Sequence, residues 1–118
     1  MNKVYHLSTC DTCKRIIKQL QLPGTFVLQD IKSEPITVKQ LGEMKALSGS
    51  YESLFSRRAK LYKERNLASE NLTEDDYKQL ILEHYTFLKR PVILVNGEVF
   101  AGNSKKTVEA AAKAVAAL

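Results

Sequence analysis

The chain has 118 residues, of which 44% are hydrophobic and 26% charged, enough for a single soluble-type domain with its own core. Eighteen Lys and Arg against thirteen Asp and Glu leave a formal charge of +5, which suits an anionic ligand. The basic residues are scattered rather than interleaved with aromatics, so direct nucleic-acid binding is not expected; nor is any segment apolar enough to span a bilayer, and residues 1–6 lack a secretory signal, so a cytoplasmic protein is expected.

Residues 4–7 form a short, β-prone, mostly apolar run that reads as a buried strand. Ser8-Thr9 opens a loop, and from Asp11 the period changes. Cys13, Ile16, Ile17 and Leu20 then fall on one face of a helix, with Cys10 at or just before its start and Cys13 turned toward the core. Pro23-Gly24 is expected to stop that helix, and residues 25–29 read as a second strand, parallel to the first.

Thr37 with Gln40 matches a capping box, followed by Leu41, Met44 and Leu47 on one face and Gly49 as a stop. Residues 51–66 are basic and weakly periodic, and read as short helices and loops. Thr73 caps a further helix with acids in its first turn, Leu72 and Tyr77 as a staple, and Tyr77, Leu80, Ile81 and His84 along one face. Pro91 divides this helical section from the strand Val92-Ile93-Leu94-Val95. Asn96-Gly97 is a hairpin signal, and 98–101 supplies the return strand. Asn103 or Ser104 caps a last, alanine-rich helix with Val108, Ala111, Ala112, Val115 and Leu118 on one side. The order predicts an α/β, thioredoxin-like fold: a four-stranded mixed sheet flanked by helices, with a helical insert of about residues 33–88 between the second and third strands.

Both cysteines fall in the stretch Leu7-Ser8-Thr9-Cys10-Asp11-Thr12-Cys13-Lys14-Arg15. In a cytoplasmic protein, C-x-x-C beside a β-α-β pattern points to redox or metal chemistry rather than to a structural bridge. The thiolate is the nucleophile, and an ordinary cysteine has a pKa of about 8.5. A helix N-terminus favours the thiolate through its unpaired N–H groups and dipole, and the same groups can hold an oxyanion beside the sulfur. Asp11 adds opposing negative charge, so a compensating cation is expected. His6, four residues before Cys10, is one candidate, read either as a proton partner of the thiol or as a hydrogen-bonded strand histidine. Arg58 and Arg90 are the others, and Pro91 restricts the backbone of Arg90. Cys13 reads either as a resolving thiol for Cys10 or as a small buried core residue. Two cysteines and two distant histidines make no recognisable four-ligand pattern, so no metal is expected.

With these residues in place, the sequence resembles the arsenate reductase family of glutaredoxin/thioredoxin-like fold, a group that includes Spx-type redox regulators. The resemblance covers essentially the whole chain, as a single domain of residues 1–118. Its carriers are Tyr5-His6 followed by Cys10 after three intervening residues, the helix over 12–20, and Ser33-Glu34-Pro35 followed by a helix. Arg58-Ala59-Lys60-Leu61-Tyr62-Lys63 and Leu88-Lys89-Arg90-Pro91-Val92-Ile93 complete them.

The resemblance implies Cys10 as nucleophile, His6 as a group that lowers its pKa, and Arg58 and Arg90 as anion-binding and transition-state charges. It implies a cis peptide before Pro91, against the active-site loop. A bidentate arginine fork suits a tetrahedral oxyanion. In family arsenate reductases a thiol–arsenate adduct forms, which glutathione and glutaredoxin then reduce. The implied protein is therefore a monomeric thiol-dependent oxidoreductase with no bound cofactor. It would use glutathione or another thiol as co-substrate, with glutaredoxin or thioredoxin as partner. Two departures stand out. Family arsenate reductases carry a third arginine just after the hairpin, where this chain has Phe100-Ala101-Gly102-Asn103-Ser104. Cys13 also completes a C-x-x-C as in Spx-type regulators, which gives the alternative: a redox-sensing transcriptional regulator that binds RNA polymerase, with a Cys10–Cys13 disulfide as its switch.

Overall fold

The computed structural model describes residues 2–118. In chain order the elements are β1 (Lys3–His6), α1 (Asp11–Leu20), β2 (Val27–Asp30), α2 (Val38–Ser48), α3 (Lys60–Glu64), α4 (Glu74–Glu83), β3 (Val92–Val95), β4 (Glu98–Ala101) and α5 (Lys105–Ala116). Short 3-10 turns cover Glu52–Leu54, Leu67–Ser69 and Tyr85–Phe87. The chain divides into two compact units, one of the residues up to Pro35 with Arg90–Leu118, the other of Ile36–Lys89.

The first unit holds a four-stranded sheet in the order β2-β1-β3-β4. β1 runs parallel to β2 and antiparallel to β3, and β3 is antiparallel to β4, so the sheet is mixed and thioredoxin-like, as the pattern predicts. Strand alternation sends Val4, Ile93 and Val95 to one face, where they pack with Ile16 and Leu20 of α1 and Val108, Ala111 and Val115 of α5. Val4 and Ile93 are directly opposite one another across the β1–β3 pair. All four residues of β3 are buried, which explains why this central strand is an unbroken apolar run. Asn96 and Gly97 take φ of 50° and 84°, the left-handed pair that a two-residue hairpin between right-twisted strands needs.

The ends of elements depart from expectation in several places, beginning with β1, which covers Lys3–His6 rather than residues 4–7. α1 stops at Leu20 because Gln21 turns left-handed (φ 50°) and donates its N–H to the Lys18 carbonyl, before Pro23-Gly24 is reached. Pro23 instead opens a turn, closed by Phe26 N–H on its carbonyl at 3.1 Å, and β2 begins at Val27 rather than at residue 25. α5 is capped by Ser104, whose hydroxyl accepts the Thr107 N–H, and ends at Ala116, leaving Leu118 exposed.

In the second unit, the expected capping box of Thr37 with Gln40 closes on α2, and Thr73 caps α4 as expected, forming a box with Asp76 as well. Leu41, Met44, Leu54, Phe55, Tyr77, Ile81, Phe87 and Leu88 are buried, while Leu47 faces solvent. Phe55 and Leu88 form an isolated antiparallel bridge, flanked by Ser56 N–H on the Phe87 carbonyl and Lys89 N–H on the Leu54 carbonyl. Phe55 stacks on Phe87 with centroids 5.4 Å apart and meets Tyr77 at 4.9 Å. His84 lies beyond α4, not on its face; it caps the next turn, with Nδ1 2.7 Å from the Thr86 hydroxyl. Among the described residues, no helix is long and apolar enough to cross a membrane.

Candidate active site

Cys10 is the N-cap of α1, with an extended backbone (φ −93°, ψ 112°). Two hydrogen bonds fix it from both sides. Its N–H closes a turn onto the Leu7 carbonyl at 3.0 Å, and its carbonyl accepts the Lys14 N–H at 3.1 Å as the first helical bond. This is the local consequence of a strand ending at His6 and an amphipathic helix starting at Asp11. The unpaired donors of the first turn are left facing the Cys10 side chain.

The neutral Cys10 thiol closes no capping bond of its own, because a thiol is a weak acceptor. The donors matter for the thiolate. Burial pushes the Cys10 pKa up, but the N–H groups of Cys13 and Thr12, the Cys13 thiol and the Arg90 charge together bring it below the ordinary cysteine value. Cys13 behaves in the opposite way. It is fully buried on the core face of α1, and burial, aided by the neighbouring Cys10 side chain and charge, pushes its thiol up to about 11. Both cysteines are reduced. The site therefore pairs a half-buried thiol that ionises first with a buried one that stays protonated and donates to it.

Arg90 reaches this site from the other end of the same unit, in the residue before β3's leading proline, and its Nε is buried. The Arg90–Pro91 peptide is cis. His6, the last residue of β1, is half-buried and lies opposite Asp30 in the parallel register; its carbonyl accepts the Ile31 N–H at 2.9 Å. The groups that act on the Cys10 thiolate are those of Cys13, Arg90 and Thr12.

Arg58 belongs to the second unit, where it is exposed just before α3. With Arg57, Lys60, Tyr62, Lys63 and Asn66 it lines a cavity of about 520 Å³. The two adjacent arginines differ in their engagement. Arg57 is held by Glu52 at 2.7 Å and by the Tyr77 hydroxyl at 3.0 Å, whereas Arg58 makes no ion pair among the described residues. Among those residues, no three His, Cys, Asp or Glu side chains gather in a way that could hold a metal ion.

One group near the site has no signal in the sequence. The Asp30 carboxylate, at the end of β2, accepts the Ser8 hydroxyl at 2.7 Å and the Ser8 N–H at 3.2 Å, together with the Lys32 N–H and the Ser33 hydroxyl, both at 3.2 Å. These donors, led by the Ser8 hydroxyl, hold its pKa down at about 2. The tie spans 22 residues and follows no short motif, so only the parallel pairing of β1 with β2 makes it visible.

Comparison with known proteins places this geometry in a lineage. The chain is 26% identical over 113 residues to an arsenate reductase of Neisseria meningitidis, covering 92% of this chain and 95% of that protein. It is also 26% identical over 98 residues to the global transcriptional regulator Spx of Bacillus subtilis, covering 80% of this chain and 73% of the regulator. The solved structure of an arsenate reductase from Vibrio cholerae superposes with a TM-score of 0.76 at 21% identity, over 92% of this chain and 95% of that one, which establishes the shared fold. Residues 5–111 match the ArsC family across the sheet, the insert and the last helix, and the chain belongs to that family.

Proposed function

We propose that the protein is a cytoplasmic thiol-dependent reductase in which Cys10 attacks an oxyanion or a disulfide. The observation that carries this reading is the asymmetry of the two thiols. Cys10 is lowered by helix N–H groups, the Cys13 thiol and Arg90, while Cys13 is raised to about 11. A depressed thiolate at a helix N-terminus is at once the nucleophile and the place where N–H groups can receive an anion.

With a disulfide substrate, the Cys10 thiolate attacks one sulfur, forms a mixed disulfide and expels the other sulfur as a thiolate. A glutathione thiol then attacks the partner sulfur of that mixed disulfide, so Cys10 leaves as thiolate and glutathione carries the partner sulfur off in a new disulfide, which takes up the oxidation and returns the enzyme to the reduced state. With arsenate, Cys10 displaces an oxygen as water to give a thiol–arsenate adduct. Glutathione supplies the thiols whose oxidation to disulfide reduces arsenic by two electrons, with glutaredoxin or thioredoxin as the recycling partner. Arg90 neutralises the anion beside the sulfur. Anion binding by Arg58, rather than by the engaged Arg57, and a pKa-lowering role for His6 rest on the family resemblance alone.

A second reading is favoured by one observation, the side-chain interaction between Cys10 and Cys13. It makes the pair a disulfide switch in an Spx-type regulator that contacts RNA polymerase, in line with the similarity to the Bacillus subtilis protein.

Turnover with arsenate, glutathione and glutaredoxin, measured for wild type, Cys10→Ser and Cys13→Ser, separates the two. Activity that survives loss of Cys13 but not of Cys10 supports the reductase with an external thiol. No turnover of arsenate or of a mixed glutathione disulfide, together with redox-dependent capture of purified RNA polymerase, supports the regulator instead.

A further inference from the structure

We propose that Asp30 is the positioning residue of Cys10: by gripping Ser8 it fixes the turn that sets the thiol at the N-terminus of α1. The inference rests on the reading of Cys10 as the nucleophile and names the group that holds it in place.

Ser8 is bound at two points, its N–H on Oδ1 and its hydroxyl on Oδ2 of the same carboxylate, which fixes the orientation of the residue as well as its position. Ser8 is also the second residue of the turn that Cys10 closes onto the Leu7 carbonyl at 3.0 Å. Ser8 and Thr9 are exposed, so apolar packing does not hold the tip of this turn; hydrogen bonds must. The carboxylate is itself anchored. The Lys32 N–H and Ser33 hydroxyl take its remaining sites, and β2 is locked to β1 by His6 opposite Asp30 and by Ile31 N–H on the His6 carbonyl at 2.9 Å. One side chain thus connects the strand pair to the start of the helix.

The link matters for chemistry because the help a thiolate receives from N–H donors falls steeply with distance and angle. A turn free to tilt would swing the sulfur away from the Cys13 and Thr12 N–H groups. The charged and titratable groups around the pair are Asp11 and Cys13 on α1, Arg90 before β3, Lys32 beside Asp30 and His6 opposite it. Asp30 carries negative charge, so its removal, by Coulomb's law alone, would favour the thiolate and lower the Cys10 pKa. Positioning predicts the opposite sign. That difference separates the two effects in a single measurement.

The experiment follows iodoacetamide alkylation of Cys10 against pH in the reduced full-length protein by peptide mass mapping, for wild type, Asp30→Ala, Asp30→Asn and Ser8→Ala, with circular dichroism as a check on folding. Positioning predicts that the Cys10 midpoint rises in Asp30→Ala, that Asn, which keeps an acceptor oxygen, restores part of it, and that Ser8→Ala, which changes no charge, moves it the same way. A folded Asp30→Ala with a lowered or unmoved midpoint overturns the inference. Should Asp30→Ala fail to fold, an unmoved midpoint in Ser8→Ala overturns it equally. A wild-type Cys10 with an ordinary midpoint defeats the nucleophile reading instead, whatever the variants do.

Discussion

Cys10 and Cys13 sit one helical turn apart, yet the first is half-buried at the N-cap of α1 and the second is fully buried on its core face. That difference in exposure orders their ionisation: Cys10 is lowered, Cys13 is raised to about 11, and the proton on Cys13 is part of what stabilises the charge on Cys10. The order of ionisation follows from burial and helix geometry rather than from the symmetric C-x-x-C spelling.

The first consequence concerns Cys13. Cys13→Ser keeps an O–H donor beside Cys10, while Cys13→Ala removes it. We expect the Cys10 midpoint to rise in Cys13→Ala and to rise less in Cys13→Ser, although Ser places a hydroxyl in an apolar site and loses more stability than Ala. The pH dependence of alkylation and the melting temperature check the two halves of the prediction. An equal midpoint in wild type and Cys13→Ala would show that the thiol donor contributes nothing.

The second concerns Arg90. Its charge favours the Cys10 thiolate, so Arg90→Ala should raise the Cys10 midpoint and slow alkylation at neutral pH. Arg90→Lys retains the charge but not the planar fork. It should therefore recover thiol reactivity better than it recovers turnover of a tetrahedral oxyanion. Parallel recovery of both quantities would mean that Arg90 acts on the sulfur alone.

The third is a pH dependence of stability. Asp30 has a folded-state pKa of about 2 against an ordinary 3.8. A depressed carboxylate contributes stability that is fully present above the ordinary value and is lost as pH falls through the folded one. The difference in melting temperature between wild type and Asp30→Asn should therefore be constant above about pH 4 and shrink toward pH 2. A difference that stays constant to the acid end would show that the Ser8 tie does not select the ionised form.

The fourth tests the scaffold under the site. Ile16 of α1 is almost fully buried in the cluster shared with β1, β3 and α5, so Ile16→Ala should cost about 2–5 kcal/mol in denaturant unfolding. Thr73→Ala removes the cap of α4 and should cost about 1 kcal/mol. A larger loss at Thr73 than at Ile16 would contradict the assignment of the core.

Much of the fold was legible because its signals are local. The capping box at Thr37, the N-cap at Thr73, the Asn96-Gly97 hairpin and the apolar run of β3 each depend on residues within a few positions of one another. The end of α1 was not legible, since Gln21 adopts a left-handed conformation that glutamine rarely signals, and the nearby Pro-Gly drew the boundary too late. At the site, periodicity placed Cys10 at or just before the helix start and Cys13 on the core-facing side, but left Cys13 open between a resolving thiol and a core residue. The Asp30–Ser8 tie could not be read in this way, because it exists only once two strands 22 residues apart have paired. The engagement of Arg57, as against the already chosen Arg58, likewise needed the partners Glu52 and Tyr77, which lie on other elements of the second unit.

The most direct test of Cys10 as the activated thiol is the pH dependence of alkylation at each cysteine in the reduced wild-type protein. Cys10 should react with a midpoint below that of an ordinary cysteine, while Cys13 stays unlabelled until strongly alkaline pH, near 11. A Cys10 midpoint at or above the ordinary value, or labelling of Cys13 ahead of Cys10, would contradict it.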